Sequence, residues 1–117
     1  MAQFGNGPIL VTGASGGIGG ATVRHLVAAG AEVIANGMET EKLDALAAET
    51  GCRVLPFDVT SEDSVRDALE GLDLWGVVNS AGFGGEIATP METEMAVFDK
   101  VMAINARGLL LVTKYAS

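Results

Sequence analysis

The chain has 117 residues, 49% of them hydrophobic and 19% charged, with 7 Lys and Arg against 15 Asp and Glu for a formal net charge of −8. That apolar fraction, with a mean hydropathy of +0.36, excludes a disordered tail, and the length suits one unit that buries a core without staples. An acidic chain with no basic stripe is a poor partner for nucleic acid or an anionic membrane, and one cysteine (Cys52) beside one histidine (His25) leaves no metal cluster and no internal disulfide.

Pro8–Thr12, after an Asn6-Gly7 turn signal, is a short run apolar on both faces and predicts a buried parallel strand. Ile18, Ala21, Val23, Leu26 and Val27 recur at helical spacing over Gly17–Ala29, and Gly30 supplies the stop. A second strand is expected over Ala31–Ala35 and a second helix over Glu39–Thr50, where Glu39, Glu41 and Asp44 read as a solvated helix start. Arg53–Phe57 predicts a third strand, with Pro56 marking it as an edge. Thr60 and Asp63 suggest a capping box, and Val65, Ala68, Leu69 and Leu72 form the stripe of a third helix. Leu74–Val78 is a fourth strand, and Thr89-Pro90-Met91-Glu92 starts a fourth helix with Thr at the N-cap. Strict β-α alternation with short connections predicts an α/β, doubly wound parallel sheet, and residues 1–117 form a single unit.

The glycines between β1 and the first helix need a mechanism. Four of the seven residues from Gly13 to Gly19 are Gly. Gly13 permits a tight turn, while Gly17 and Gly19 remove side chains where backbone approaches a ligand or a neighbouring strand. The helix N-terminus behind them offers N–H groups and partial positive charge to a pyrophosphate. No acid precedes Glu32, which predicts a less negative field there. A P-loop is excluded because no Lys occurs before Lys42. Gly13-Ala14-Ser15-Gly16-Gly17 also fits a nucleophile elbow, but His25, the sole histidine, comes after it with no intervening acid. A turn that only packs helix on strand needs fewer glycines.

Thr12-Gly13-Ala14-Ser15-Gly16-Gly17-Ile18-Gly19 resembles the cofactor loop of the short-chain dehydrogenase/reductase family. Phe57-Asp58-Val59-Thr60, Val78-Asn79-Ser80-Ala81-Gly82 and Ile104-Asn105-Ala106-Arg107-Gly108 are similar to three further motifs of that family in the same order. The resemblance covers the N-terminal half of a family member. It implies a Rossmann-like sheet ordered 3-2-1-4 and a site for NAD or NADP. The implied cofactor contacts are Gly13, Ser15, Gly17, Ile18, Gly19, Asn36, Asp58, Val59, Asn79, Ala81 and Gly82, with Asn105 as the family's catalytic Asn. At the switch point between strands 1 and 4, a crevice opens that suits such a ligand. Taken alone, Asp58 reads as an Asx turn or cap before Thr60 rather than as a ligand contact, Asn36 at least as readily as a turn residue as a ribose contact, and Asn105 equally as a register-fixing amide in a helix seam.

The family's Ser and Y-x-x-x-K are not found within these residues. The sole tyrosine is Tyr115, with Ser117 last, and Lys114-Tyr115 reads as a helix-surface pair. These 117 residues by themselves are therefore expected to transfer no hydride. Neither an acid nor a base stands at Asn36-Gly37-Met38, so the sequence leaves NAD against NADP open. No basic n-region with an apolar core opens the chain and no apolar run nears the ~20 residues of a span, so a cytoplasmic location is expected. Phe98, Met102, Asn105, Leu109, Val112 and Ala116 lie on one helical face, and Leu74–Val78 is a sheet edge without Lys or Pro. Together they predict a homodimer through helix 93–117, the fourth strand, or both.

Overall fold

The computed structural model describes residues 7–85 and 88–117, so Asn6 of the expected first turn lies outside the described residues. Four strands, β1 (Ile9–Val11), β2 (Val33–Ala35), β3 (Arg53–Val54) and β4 (Gly76–Val78), form one parallel sheet in the order β3-β2-β1-β4. Helices α1 (Gly17–Ala28), α2 (Thr40–Thr50) and α3 (Glu62–Leu69) fill the crossovers. After β4 the chain forms α4 (Met95–Met102), a π-helical segment (Ala103–Gly108) and α5 (Leu109–Ala116). No helix among the described residues is long and apolar enough to cross a membrane.

Alternation along the strands divides the core in two. Ile9, Val11, Val33 and Ala35 point to one face and meet Val23 of α1 and Leu43 and Leu46 of α2. Leu10 and Ile34 point to the other and meet Val65 and Leu69 of α3 and Leu111 and Val112 of α5. This is the doubly wound arrangement the β-α alternation requires.

The strands are shorter than the apolar runs that announce them, and at β3 the terminator is plain. β3 stops at Val54 because Pro56 has no N–H for the ladder; the Asn36 side-chain amide instead donates to the Leu55 and Phe57 carbonyls at 3.2 and 3.1 Å. The capping box is displaced by one residue: Ser61, not Thr60, caps α3 by accepting from the Ser64 amide at 3.2 Å. Thr60 turns away to donate its hydroxyl to Asp58 Oδ1 at 2.6 Å.

The expected helix start at Thr89 is one isolated turn, closed by the Glu92 amide on the Thr89 carbonyl at 3.0 Å. Glu94 is extended (φ −74°, ψ 133°), and α4 begins only at Met95. The π segment also breaks the expected single apolar face. Its i→i+5 bonding inserts a residue and rotates α5 relative to α4 by about 100°. Phe98, Met102 and Leu109 are about half exposed, while Val112 is buried against α3.

Candidate functional site

The chain leaves β1 through Thr12, whose side chain is buried and whose Oγ1 accepts from the Ser80 and Ala81 amides at 3.0 and 3.1 Å. That bond ties the exit of β1 to the exit of β4. Gly13 then turns with φ 64°, and a Cβ there would lie 2.7 Å from Ala81 Cα. A Cβ at Gly19 would run into the Gly13 carbonyl. Both glycines are demanded by packing. Gly17, the first residue of α1, is different: a Cβ there would meet nothing within 4 Å. The position is open, on a helix start that no side chain caps.

Two of the cavities that adjoin this loop share a wall. One of about 390 Å³ lies between the exits of β2 and β3 and the segment after β4, with Asn36, Asp58, Val59 and Ala81 in its wall. The other, about 450 Å³, lies over the loop and is walled by Gly17, Ile18, Gly19 and Ser80. Gly13, Ser15, Glu39 and Gly82 line both. The result is an elongated crevice at the switch point of the sheet, with a helix N-terminus at one end and an apolar slot at the other. Its two ends suit an anionic group and a flat heterocycle.

Ten of the eleven positions expected to contact a cofactor line this crevice, and Asn79 does not. The Asn79 amide donates to Thr113 Oγ1 on α5 at 3.3 Å. Asp58 is both a turn residue and a wall. Its Oδ1 accepts from the Thr60 amide at 2.9 Å and from the Thr60 hydroxyl, which fixes the carboxylate with Oδ2 left over. Asn36 is buried and spends its N–H groups on the Leu55 and Phe57 carbonyls, so it is neither a plain turn residue nor a freely rotating ligand.

Asn105 sits in the π segment, exposed rather than in a helix seam. Its Oδ1 accepts from the Phe83 amide at 2.7 Å and its Nδ2 donates to the Phe83 carbonyl at 3.0 Å. This two-way bond holds the segment after β4 that walls the first cavity. Gly108 lets the π segment approach, since a Cβ there would lie 3.0 Å from Val59 Cγ2. Thr12 and Gly108 were legible only as members of their motifs; their contacts with Ser80 and Val59 cross the fold and have no local signal.

The local-field expectation fails on folding. Arg24, the early cation, is paired with Glu49 of α2 at 2.6 Å, and α2 also brings Glu39 to the crevice. The Glu49 carboxyl lies below the usual carboxylate range, first because it accepts the Arg24 hydrogen bond and then through the charge of Arg24, against the opposing effect of desolvation. Lys114-Tyr115 is likewise more than a surface pair: both side chains donate to Glu62 Oε2, at 3.2 and 2.6 Å, and join α5 to α3.

The fold and the crevice define a doubly wound, Rossmann-like α/β protein. The family profile described as short chain dehydrogenase matches residues 8–117, and the chain belongs to that family. It is 37% identical over 117 residues to the serine 3-dehydrogenase of Agrobacterium fabrum, a match covering 94% of this chain and 47% of that protein. The closed form of a serine dehydrogenase complexed with NADP+ superposes with a TM-score of 0.87 at 27% identity, over 93% of this chain and 47% of the other. A 3-ketoacyl-(acyl-carrier-protein) reductase from Brucella melitensis complexed with NADH gives 0.84 at 25% identity, over 93% and 48%. The chain thus spans about half the length of the relatives it matches, and family membership supports a nicotinamide dinucleotide as cofactor.

Proposed function

We propose that these residues are the cofactor-holding portion of a cytoplasmic NAD(P)-linked oxidoreductase that interconverts an alcohol and a carbonyl. The single observation that carries the reading is the open position at Gly17, where an uncapped helix start borders the cavity and no protein atom fills the space a side chain would take. Gly17, Ile18 and Gly19 would hold the pyrophosphate. Asp58 Oδ2 would accept from the exocyclic amine of the adenine beside Val59. Ala81 and Gly82 let backbone approach a ribose, and Ser15 closes the loop side. The bound nicotinamide supplies or accepts the hydride. Asn105 positions the Ala81–Phe83 wall of the crevice, and these 117 residues alone turn over no substrate. Asn79 acts on the site only by anchoring the exit of β4 to α5.

The reading is tested by titrating the chain with ADP while following backbone amide resonances. Shifts at Gly13–Gly19 and at Ala81–Gly82 are expected at low-millimolar ligand. Gly17→Val should abolish them and leave the thermal midpoint close to that of the parent, because a Cβ at this position lies in open space. The absence of any shift with ADP, NADH and NADPH defeats the reading.

We also propose a homodimer. β4 is an edge of the sheet, and Met95, Phe98, Met102, Leu109 and Leu110 expose between 46% and 65% of their surface along α4 and α5. A two-fold partner covers both features with one self-complementary surface.

A further inference from the structure

We propose that the Asn36-Gly37 pair at the end of β2 is a self-modification site that the fold keeps shut, and that loss of the Asn36 amide permanently marks a chain in which β2 and β3 have come apart. Two Asn-Gly pairs occur in the sequence, Asn6-Gly7 and Asn36-Gly37. An asparagine before a glycine can lose its amide to the chain's own backbone. Glycine has no Cβ to crowd its nitrogen and the widest choice of φ and ψ, so that nitrogen can reach the side-chain carbonyl carbon of the residue before it. The Gly37 nitrogen forms a bond to Asn36 Cγ, the Cγ–Nδ2 bond breaks, and Nδ2 leaves as ammonia with the proton given up by Gly37. Water then opens the cyclic imide at either carbonyl, leaving aspartate or its β-linked isomer. Nothing is oxidised or reduced, and water is the only co-reactant. Packing asks for the same glycine, since a Cβ at Gly37 would lie 2.8 Å from Ser15 Oγ and 3.3 Å from Leu43 Cδ2.

The folded chain holds Asn36 away from this step on three sides. Its amide donates to the Val11 carbonyl at 2.9 Å and its carbonyl accepts from the Ala14 amide at 2.7 Å. Its Nδ2 donates to the Leu55 and Phe57 carbonyls. The departing nitrogen must take up a proton, and carbonyl oxygens are acceptors with none to give. Ring closure therefore requires the side chain to leave both carbonyls, and opening of the imide requires water around a residue that is 1% exposed. The same two bonds make the change one-way. The product carboxylate has no donor, so it sets negative charge against the Leu55 and Phe57 carbonyls and leaves them without their partner. The main chain cannot stand in, because Pro56 between them has no N–H. The β-linked isomer adds a methylene to the main chain and removes from it the carbonyl that accepts from Ala14. Asn36 and Gly37 also line the first cavity, so the mark falls on the wall of the crevice itself.

Peptide mapping by mass spectrometry separates Asn36 from Asn6, Asn79 and Asn105 and follows the conversion of the 117-residue chain at neutral pH, in buffer and in unfolding urea. Asn36 should convert in urea and should convert at least about a hundredfold more slowly in buffer, because the step waits on an opening of the fold. Gly37→Ala should slow the conversion in urea, since its Cβ crowds the attacking nitrogen. Asn36→Asp, the product made directly, should unfold at a lower urea concentration than the parent or fail to fold. The rates measured on the unaltered chain stand apart from that variant. No conversion in urea, equal rates in buffer and urea, a urea rate indifferent to Gly37→Ala, or an Asn36→Asp chain as stable as the parent would each overturn the proposal, and none of these outcomes touches the dinucleotide reading.

Discussion

β1 and β4 run side by side, paired residue for residue from Ile9–Gly76 to Val11–Val78, yet their environments differ. All three residues of β1 are buried, Leu10 and Val11 completely, while all three of β4 are half-buried. Their composition does not explain this, because both are short and largely aliphatic. Position does: β1 has a strand on each side and helices over both faces, whereas β4 has β1 on one side and is the sheet's edge. The glycine loop shows the same contrast in miniature. Gly13 is held against the backbone of Ser80 and Ala81, while Gly17 faces open space. Covered positions specify the fold, and open ones are left for something to bind.

Substitutions at paired covered and open positions should have very different costs. Leu10→Ala empties a fully buried site between β2, α3 and α5 and should cost about 2–5 kcal/mol in urea unfolding. Val77→Ala, at the ladder partner of Leu10 on the half-covered strand, should cost about 1 kcal/mol. Equal costs would mean that β4 is covered in solution. In the loop, Gly13→Ala forces a Cβ into φ 64° and onto Ala81, for about 2–5 kcal/mol. Gly17→Ala should fall within about 0.5 kcal/mol of the parent in stability.

The homodimer reading predicts the cover itself. Sedimentation at micromolar concentration should give a species of twice 12.0 kDa, with an unfolding midpoint that rises with protein concentration. Leu110→Glu, at a side chain 65% exposed in the single chain, should give the monomer. A 12.0 kDa species with concentration-independent unfolding breaks the comparison, because β4 and α4 would then be stable with one side bare.

The parallel sheet and the glycine loop were legible in the sequence because both rest on local patterns, apolar runs, β-α alternation and glycines in a short loop, while the strand order followed from the resemblance of four motifs to one family. Contacts that join distant segments were not legible. Ser61 displaces Thr60 as the α3 cap because Asp58 captures the Thr60 hydroxyl, a competition between neighbours that spacing does not rank. Val112 leaves the expected stripe to pack on α3, a contact between distant segments, and the π segment before it has no periodic signature of its own. Asn105 reads as a misplaced amide in an apolar face, and its destination, the Phe83 backbone, depends on the path of the segment after β4. Asn36 bridges two strands only because Pro56 ends the ladder between them.

The smallest expected effect concerns how the half-open side is held down. Glu62, in the first turn of α3, accepts from Tyr115 Oη at 2.6 Å and Lys114 Nζ at 3.2 Å. The Tyr115 hydrogen bond first, and then the hydrogen bond and charge of Lys114, hold its carboxyl below the usual glutamate range. As pH falls, the unfolded chain takes up this proton before the folded chain does. The resulting stabilisation is complete above the ordinary glutamate pKa of about 4.3 and is lost as pH drops through the lower folded value. Lys114 behaves oppositely: the Glu62 hydrogen bond raises its pKa above the ordinary lysine value, so its contribution is lost as pH rises through that raised value. Glu62→Gln should therefore lower the thermal midpoint slightly at neutral pH, and the difference should shrink in salt and vanish in acid. A difference that persists unchanged well below the glutamate range would show that Glu62 acts through packing. The contact between α3 and α5 would then rest on Val65, Leu69, Leu111 and Val112 alone.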